Sequence, residues 1–315
     1  MKIWLIVATS LVVVGLILFA VVMAEYNWDF TRLNTGKFET NTYEIREEFK
    51  NISMNTDTAD ITFALSDDGK CRIECYEEKK AKHSVTVQEG ILVIELINDK
   101  SWYDYIGIHF GGPKIKVFLP ESEYTSLSIR EDTGDIDMPK DFQFADVDIS
   151  LSTGDVNFFA SAAKSLKLNT STGKICVENA SAGMLELSAS TGAITVSNVT
   201  CSDANIKVTT GKTKLTDLAC KNLTSSGDTG DVSLTHVIAA EKLTIERSTG
   251  DVKFDRSDAG EIFVKTDTGD VTGSLLTDKI FIAKTDTGRA DVPKTVTGGR
   301  CEITTDTGNI KITVP

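Results

Sequence analysis

Ten Thr-Gly pairs in this chain follow one another at a spacing that hardly varies, and no other feature limits the possible folds so strongly. The pairs are Thr133-Gly134, Thr153-Gly154, Thr172-Gly173, Thr191-Gly192, Thr210-Gly211, Thr229-Gly230, Thr249-Gly250, Thr268-Gly269, Thr287-Gly288 and Thr307-Gly308. Six of the nine intervals are nineteen residues and three are twenty. A fixed period of this length marks a stacked-repeat protein, in which each unit is too small to hold a core alone and buries its apolar face against its neighbours. Helical repeats need a longer period and Ala/Leu-rich segments, which these units do not have.

The alternation within each unit is that of strands. Counted from Gly, the second and fourth residues are branched or aromatic, as in Val156 and Phe158, Ile175 and Val177, Val252 and Phe254, and Ile310 and Ile312. A second alternating set precedes the next Thr-Gly, as in Leu166 and Leu168, Leu185 and Leu187, and Leu243 and Ile245. Period two marks half-buried strands. Strands repeated in parallel at ~4.8 Å align inward side chains into continuous apolar rows, so ten corners span roughly 45 Å. The expected fold is all-β: a parallel β-solenoid (β-helix) of 19–20-residue coils. Gly tolerates the positive φ that a sharp corner needs, and stacked threonines can pass hydroxyl hydrogen bonds from coil to coil. Asp57-Thr58-Ala59 reads as a degenerate corner with Ala59 in the glycine position, after which the period is lost until Gly134.

Before the repeats, Ile3 to Ala24 is apolar and free of charge, with Lys2 before it and Glu25 after it. Roughly 20 such residues cross a bilayer core. The segment exceeds the ~7–15 apolar residues of a usual signal peptide, although Val22 and Ala24 fit a cleavage site, so retained anchor and cleaved signal both stand as readings. The expected organisation is a transmembrane segment at 1–24, a juxtamembrane linker at 25–37, an N-terminal cap with irregular first coils at 38–130, and regular repeats at 131–315. The expected location is the cell membrane, single-pass, with the C-terminal domain extracellular. A formal charge of −13 repels a nucleic-acid backbone, which argues against nucleic acid as a partner.

The combination of ILVIEL, an insert, KIKVFLP, SLSIREDTGDIDM and serial STGDV or DTGDV corners resembles the bacterial putative-adhesin domain of unknown function, a β-strand-repeat family often found behind a membrane anchor. The similarity runs from about Phe38 to Pro315. It implies a solenoid at the cell surface with an envelope-associated binding or stress-response role, and it brings no catalytic residues and no cofactor.

Several residues invite chemistry. Asp267, Asp286 and Asp306 share one corner position, and Asp231, Asp251 and Asp270 the position after Gly. Stacked carboxylates suit a calcium ladder, as in a calcium-stabilised adhesin. The plainer reading is turn aspartates bonded to backbone amides. Paired carboxylates on a solenoid wall also serve carbohydrate-active enzymes, but a repeated Asp is not a unique site, and no enzyme is expected. Cys201 and Cys220 share one repeat position, so they are either a disulfide between neighbouring coils or two small buried residues. Cys71, Cys75, Cys176 and Cys301 show no paired ligand spacing, and His83, His109 and His236 belong to no catalytic signature; no metal site is expected. The insert from Asn98 to Pro113 gathers Trp102, Tyr103, Tyr105 and Phe110, aromatics that suit a glycan or protein partner of the envelope or a packing role over the solenoid end. Ile310 and Ile312, in the last strand of the sequence, are expected at an open edge available for self-association.

Overall fold

The computed structural model describes residues 2–29, 37–105 and 111–315. One helix, α1 (Lys2–Glu25), precedes a parallel β-solenoid. A typical coil has a long strand, the Thr-Gly corner, a short strand, and a second bend into the next long strand. The strands Ser161–Thr172 and Ile175–Glu178 form such a coil, in register with Ser181–Thr191 and the strand starting at Ile194.

Inward rows form the core. The second residue after each corner glycine stacks on its equivalents, and Ile136, Val156, Ile175, Ile194, Val232, Val252 and Val271 are all fully buried. Gly173 shows why the corner is glycine. Its φ is +149°, and a Cβ there would lie 1.9 Å from the carbonyl oxygen of Gly154 on the neighbouring coil. Its own N–H donates to Thr191 O at 3.0 Å, so neighbouring corners are hydrogen-bonded backbone to backbone.

The corner threonines themselves stand exposed. Hydroxyls that bridge coils at this corner come from buried or half-buried threonines two positions earlier: Thr170 Oγ1 donates to Gly154 O at 3.1 Å, and Thr305 Oγ1 to Gly269 O at 3.0 Å. The second bend has its own signature. Asn179, Asn198, Asp217, His236 and Arg256, each six residues after a corner glycine, all have φ between 47° and 52°. Asn, Asp and His are enriched in this left-handed region, so the bend is set by residue class rather than by one letter.

The cap breaks the sequence order. β1 (Phe38–Ile45), β2 (Asn51–Asn55) and β3 (Asp60–Leu65) are followed by β4 (Cys71–Glu78), β5 (Ala81–Gln88), β6 (Ile91–Asn98) and β7 (Lys114–Leu119), and then by β8 (Glu123–Thr133) and β9 (Ile136–Met138). β2 and β3 turn at Ala59 and stack directly on β8 and β9, with Thr58 bridged to Thr133. β6 and β7 pair in parallel with the other side of β2 and β3. Beyond them the stack ends in antiparallel strands: β5 on β6, β4 on β7 and β1 on β4.

The C-terminal end has the same rearrangement, and it overturns the expectation for Ile310 and Ile312. The final coil, Gly299–Thr307 and Ile310–Thr313, lies between the coil of Val252–Thr268 and Val271–Leu275 and that of Lys279–Thr287 and Ala290–Asp291. Ile310 pairs with Val271 on one side and Ala290 on the other. Ile310 is 0% and Ile312 2% exposed, so neither is an edge residue. The outer edge is the earlier strand Lys279–Thr287, where Ile280 and Ile282 are 46% and 47% exposed.

Candidate functional site

The acids that follow the corner glycines are used by the backbone, whereas Asp267, Asp286 and Asp306, two positions before the glycine, stand exposed, with Asp286 3.5 Å from Lys284 Nζ. Asp135 Oδ1 accepts the N–H of Asp155 at 2.8 Å, Asp155 Oδ1 that of Lys174 at 2.7 Å, and Asp251 Oδ1 that of Asp270 at 2.8 Å. At the last coil Asp270 Oδ1 accepts from Asn309 N at 2.7 Å, skipping the intervening corner of sequence. Each carboxylate thus reaches across one coil to the amide after its neighbour's corner glycine, a hydrogen bond to a charged acceptor that reinforces stacking.

All six cysteines are free thiols. Cys201 and Cys220 are buried on neighbouring strands, and the nearby Cys201 thiol together with burial pushes the Cys220 thiol up. Burial raises Cys71, Cys75 and Cys301 to about 12 and Cys176 to about 11, so none is a ready nucleophile.

The aromatic insert begins with one 3₁₀ turn, Trp102–Tyr105, in which the Trp102 side chain is 76% exposed. Asp104 holds it: Oδ2 accepts Ser101 N at 2.9 Å, and Oδ1 binds Lys80 Nζ at 2.6 Å, which lowers the Asp104 carboxyl pKa. Lys100 Nζ reaches Glu78 at 2.8 Å, so the turn is tied to the end of the β4–β5 hairpin. The side chains of Tyr103 and Tyr105, and Phe110 with its neighbours, lie outside the described residues, as does His109.

A cleft of about 930 Å³ opens at the opposite end of β4, lined by Glu47, Arg46, Phe49, Lys70, Gly90 and Pro120 among others. Its lining mixes both signs of charge with an apolar floor, a composition suited to a polar ligand. Lys50 Nζ braces its rim by bonding Ser122 Oγ at 2.7 Å and Glu123 O at 3.1 Å.

Glu131, Arg247 and the pair of Lys279 with Asp258 carry charge or latent charge inside the solenoid. Glu131 is 3% exposed, and burial pushes its carboxyl up to about 8 despite the amide of Ala59 donating to it at 2.9 Å. Arg247 is 4% exposed, fills space left by Gly227, and donates to Thr213 Oγ1 and Ser225 Oγ at 3.0 Å each. Burial lowers its guanidinium to about 10. Lys279 and Asp258 pair at 2.6 Å beneath the outer coil.

In the cap, Cys75, Glu77 and His83 converge: Sγ, a carboxylate oxygen and a ring nitrogen all lie within 4.8 Å of one another. Residue spacing gave no sign of this cluster. Glu77 is two residues from Cys75 on one strand face, but His83 arrives from the far side of a hairpin, and only the crossing of β4 and β5 between sheets brings it back.

Known proteins share this architecture. A protein from Parabacteroides distasonis titled a putative adhesin aligns at 12% identity with a TM-score of 0.54, covering 88% of this chain and 98% of its own. One from Parabacteroides merdae with the same description aligns at 15% identity and 0.53, covering 78% and 98%. A second Parabacteroides distasonis structure, titled a putative lipid binding protein, aligns at 17% identity and 0.52, covering 88% and 98%. At these identities the likeness is one of fold. No curated protein sequence matches the chain. Residues 49–217 and 210–315 match the Toastrack DUF4097 family, most of the molecule, and the chain belongs to that family.

Proposed function

We propose that this protein is a membrane-tethered surface solenoid that acts as a rigid, adhesin-like binding scaffold rather than an enzyme. The carrying observation is α1: the apolar segment Ile3–Glu25 is long enough to cross a bilayer, and none of its most apolar window is buried against the protein. An uncovered apolar surface of that size is stable in lipid, not in water. Outside the helix, the acids after the corner glycines serve main-chain hydrogen bonds, and the non-repeating cap is the favoured place for recognition. There the exposed Trp102 turn and the charged cleft offer an aromatic contact and a polar recess suited to an envelope glycan or protein. The exposed edge Lys279–Thr287 is a second surface, suited to pairing with another copy.

The test is fractionation of cells expressing the full chain, with mass analysis of its N-terminus. The reading expects the intact chain in a carbonate-washed membrane pellet, and binding of purified wall material that falls at least several-fold in Trp102→Ala. A chain released to the medium with a new N-terminus near Glu25 would replace tether with secretion. Unchanged wall binding by Trp102→Ala would remove the cap as the recognition surface.

A further inference from the structure

We propose that Cys75, Glu77 and His83 form a buried site for one zinc ion, which fastens β1 and the β4–β5 hairpin to the solenoid cap. The site is assembled by topology. Cys75 and Glu77, at i and i+2 of β4, face inward with Cys71 and Ile73. β4 pairs with β5 only at Glu78 and Ala81; β4 then continues along β7, and β5 along β6. The hairpin therefore opens across the interior, and His83 meets Glu77 from the wall that β5 shares with β6. Exposure is 0% for Cys75, 0% for Glu77 and 3% for His83.

The surroundings hold these groups as a metal site's outer contacts do. Asn41 Nδ2, on β1, donates to Glu77 Oε1 at 2.6 Å. The other carboxylate oxygen, Oε2, accepts His83 N at 2.6 Å and lies 2.7 Å from His83 Nδ1. Tyr43 Oη, also on β1, donates to the His83 carbonyl at 2.8 Å. The bonds from Asn41 and Tyr43, which come from outside the cluster, hold the ligand side chains and backbone in place. Around a tetrahedral zinc, ligand atoms stand roughly 3.3–3.8 Å apart, given bonds of about 2.0–2.3 Å. The three ligand atoms lie within 4.8 Å of one another, and an ion between them would take the place of the 2.7 Å contact of His83 Nδ1 with Glu77 Oε2.

Ligand chemistry selects the ion. A thiol, a carboxylate and an imidazole suit a borderline-soft cation and not calcium or magnesium, which take oxygen. Charge selects it too. Thiolate, carboxylate and a dication sum to zero, which removes most of the cost of burying an anion in an apolar interior. Zinc binds the thiolate form of Cys75. Binding would displace the thiol proton to solvent as the S–metal bond forms. Three protein ligands leave the fourth position of the ion for water.

The competing arrangement is a Glu77–His83 ion pair with Cys75 as a bystander, and metal content separates the two. The full chain, purified in detergent, is incubated with zinc chloride or cobalt chloride and desalted. The proposal expects about one zinc per chain and, with cobalt, a near-ultraviolet thiolate charge-transfer band. Cys75→Ala and His83→Ala lose both, whereas Cys201→Ala, a buried thiol elsewhere, keeps both. Cys75→Ser preserves the side-chain volume and loses the cobalt band even if the alanine variant fails to fold. Wild-type protein that retains no metal above the Cys75→Ser background overturns the site, as does equal retention by folded Cys75→Ala and His83→Ala.

Discussion

At the residue scale, two constraints act at the two bends, and they differ in strictness. Gly192 has φ of 152°, and a Cβ there would meet the Gly173 carbonyl oxygen at 1.7 Å. Gly192→Ala therefore combines backbone strain with overlap against a hydrogen-bonded strand, and is expected to cost about 3 kcal/mol or more in urea unfolding. Asn198→Gly, at φ of 52°, is expected to change stability by less than about 1 kcal/mol. Glu131 supplies a pH signature. Its carboxyl titrates near 8 in the fold against about 4.5 in the unfolded chain, so between those values the native state keeps a proton that the unfolded state has released. Stability is then fully present below pH 4.5 and falls as pH rises to 8, by an amount on the order of a few kcal/mol. Melting curves from pH 5 to pH 9 should show this decline in wild type and a much flatter profile in Glu131→Gln. The aspartate ladder predicts no dependence on calcium: with Asp251 Oδ1 already accepting Asp270 N, melting temperatures in calcium and in a calcium-selective chelator should agree.

At the scale of elements, the repeat was legible because from Gly134 to Gly308 each corner has positive φ and a neighbouring carbonyl where a Cβ would stand, so glycine recurs there and Ala59 replaces it only at the first corner. The second bend was not legible, since Asn179, Asp217, His236 and Arg256 share a conformation without sharing a letter. Ile310 and Ile312 show a further limit. Alternation states which face of a strand is buried, and Ile310 is buried as alternation requires; it does not state which coil lies beside which. Parallel stacking depends on matching corners, and KTDTGRADV and TTDTGNIKI both match the corner of Gly269. The preference for the latter is visible in the residues that follow: Ile310 and Ile312 fill the rows of Val271 and Gly273, where the earlier coil offers Ala290 and then Val292 at the end of a two-residue strand. The more apolar coil takes the inner place. Ile312→Ala should accordingly cost about 2–5 kcal/mol and Ile282→Ala under about 1, measured by denaturant unfolding. The reverse ranking would restore the order of the sequence.

At the scale of the molecule, both ends of the solenoid tuck their terminal coil one place inward. β2 and β3 lie between β6–β7 and β8–β9, and the coil of 299–313 lies inside that of 279–291. A chain stacked in simple order could unzip from its last strand, breaking one ladder at a time. Here the last strand is bonded on both sides, so peeling that begins at it breaks two ladders at once. This arrangement protects the end of the stack against peeling from the last strand. The cluster of Cys75, Glu77 and His83 belongs to the same logic, since it closes the cap where antiparallel strands replace the parallel stack.

The central claim, a solenoid held outside the cell by α1, is tested most directly by labelling intact cells with a membrane-impermeant maleimide. Lys253, exposed on the short-strand wall, is replaced by Cys, and the wild-type chain with its buried or half-buried thiols serves as the background. The account predicts strong labelling of Lys253→Cys before lysis, with all of the labelled chain in the membrane pellet. Labelling that appears only after lysis would contradict it.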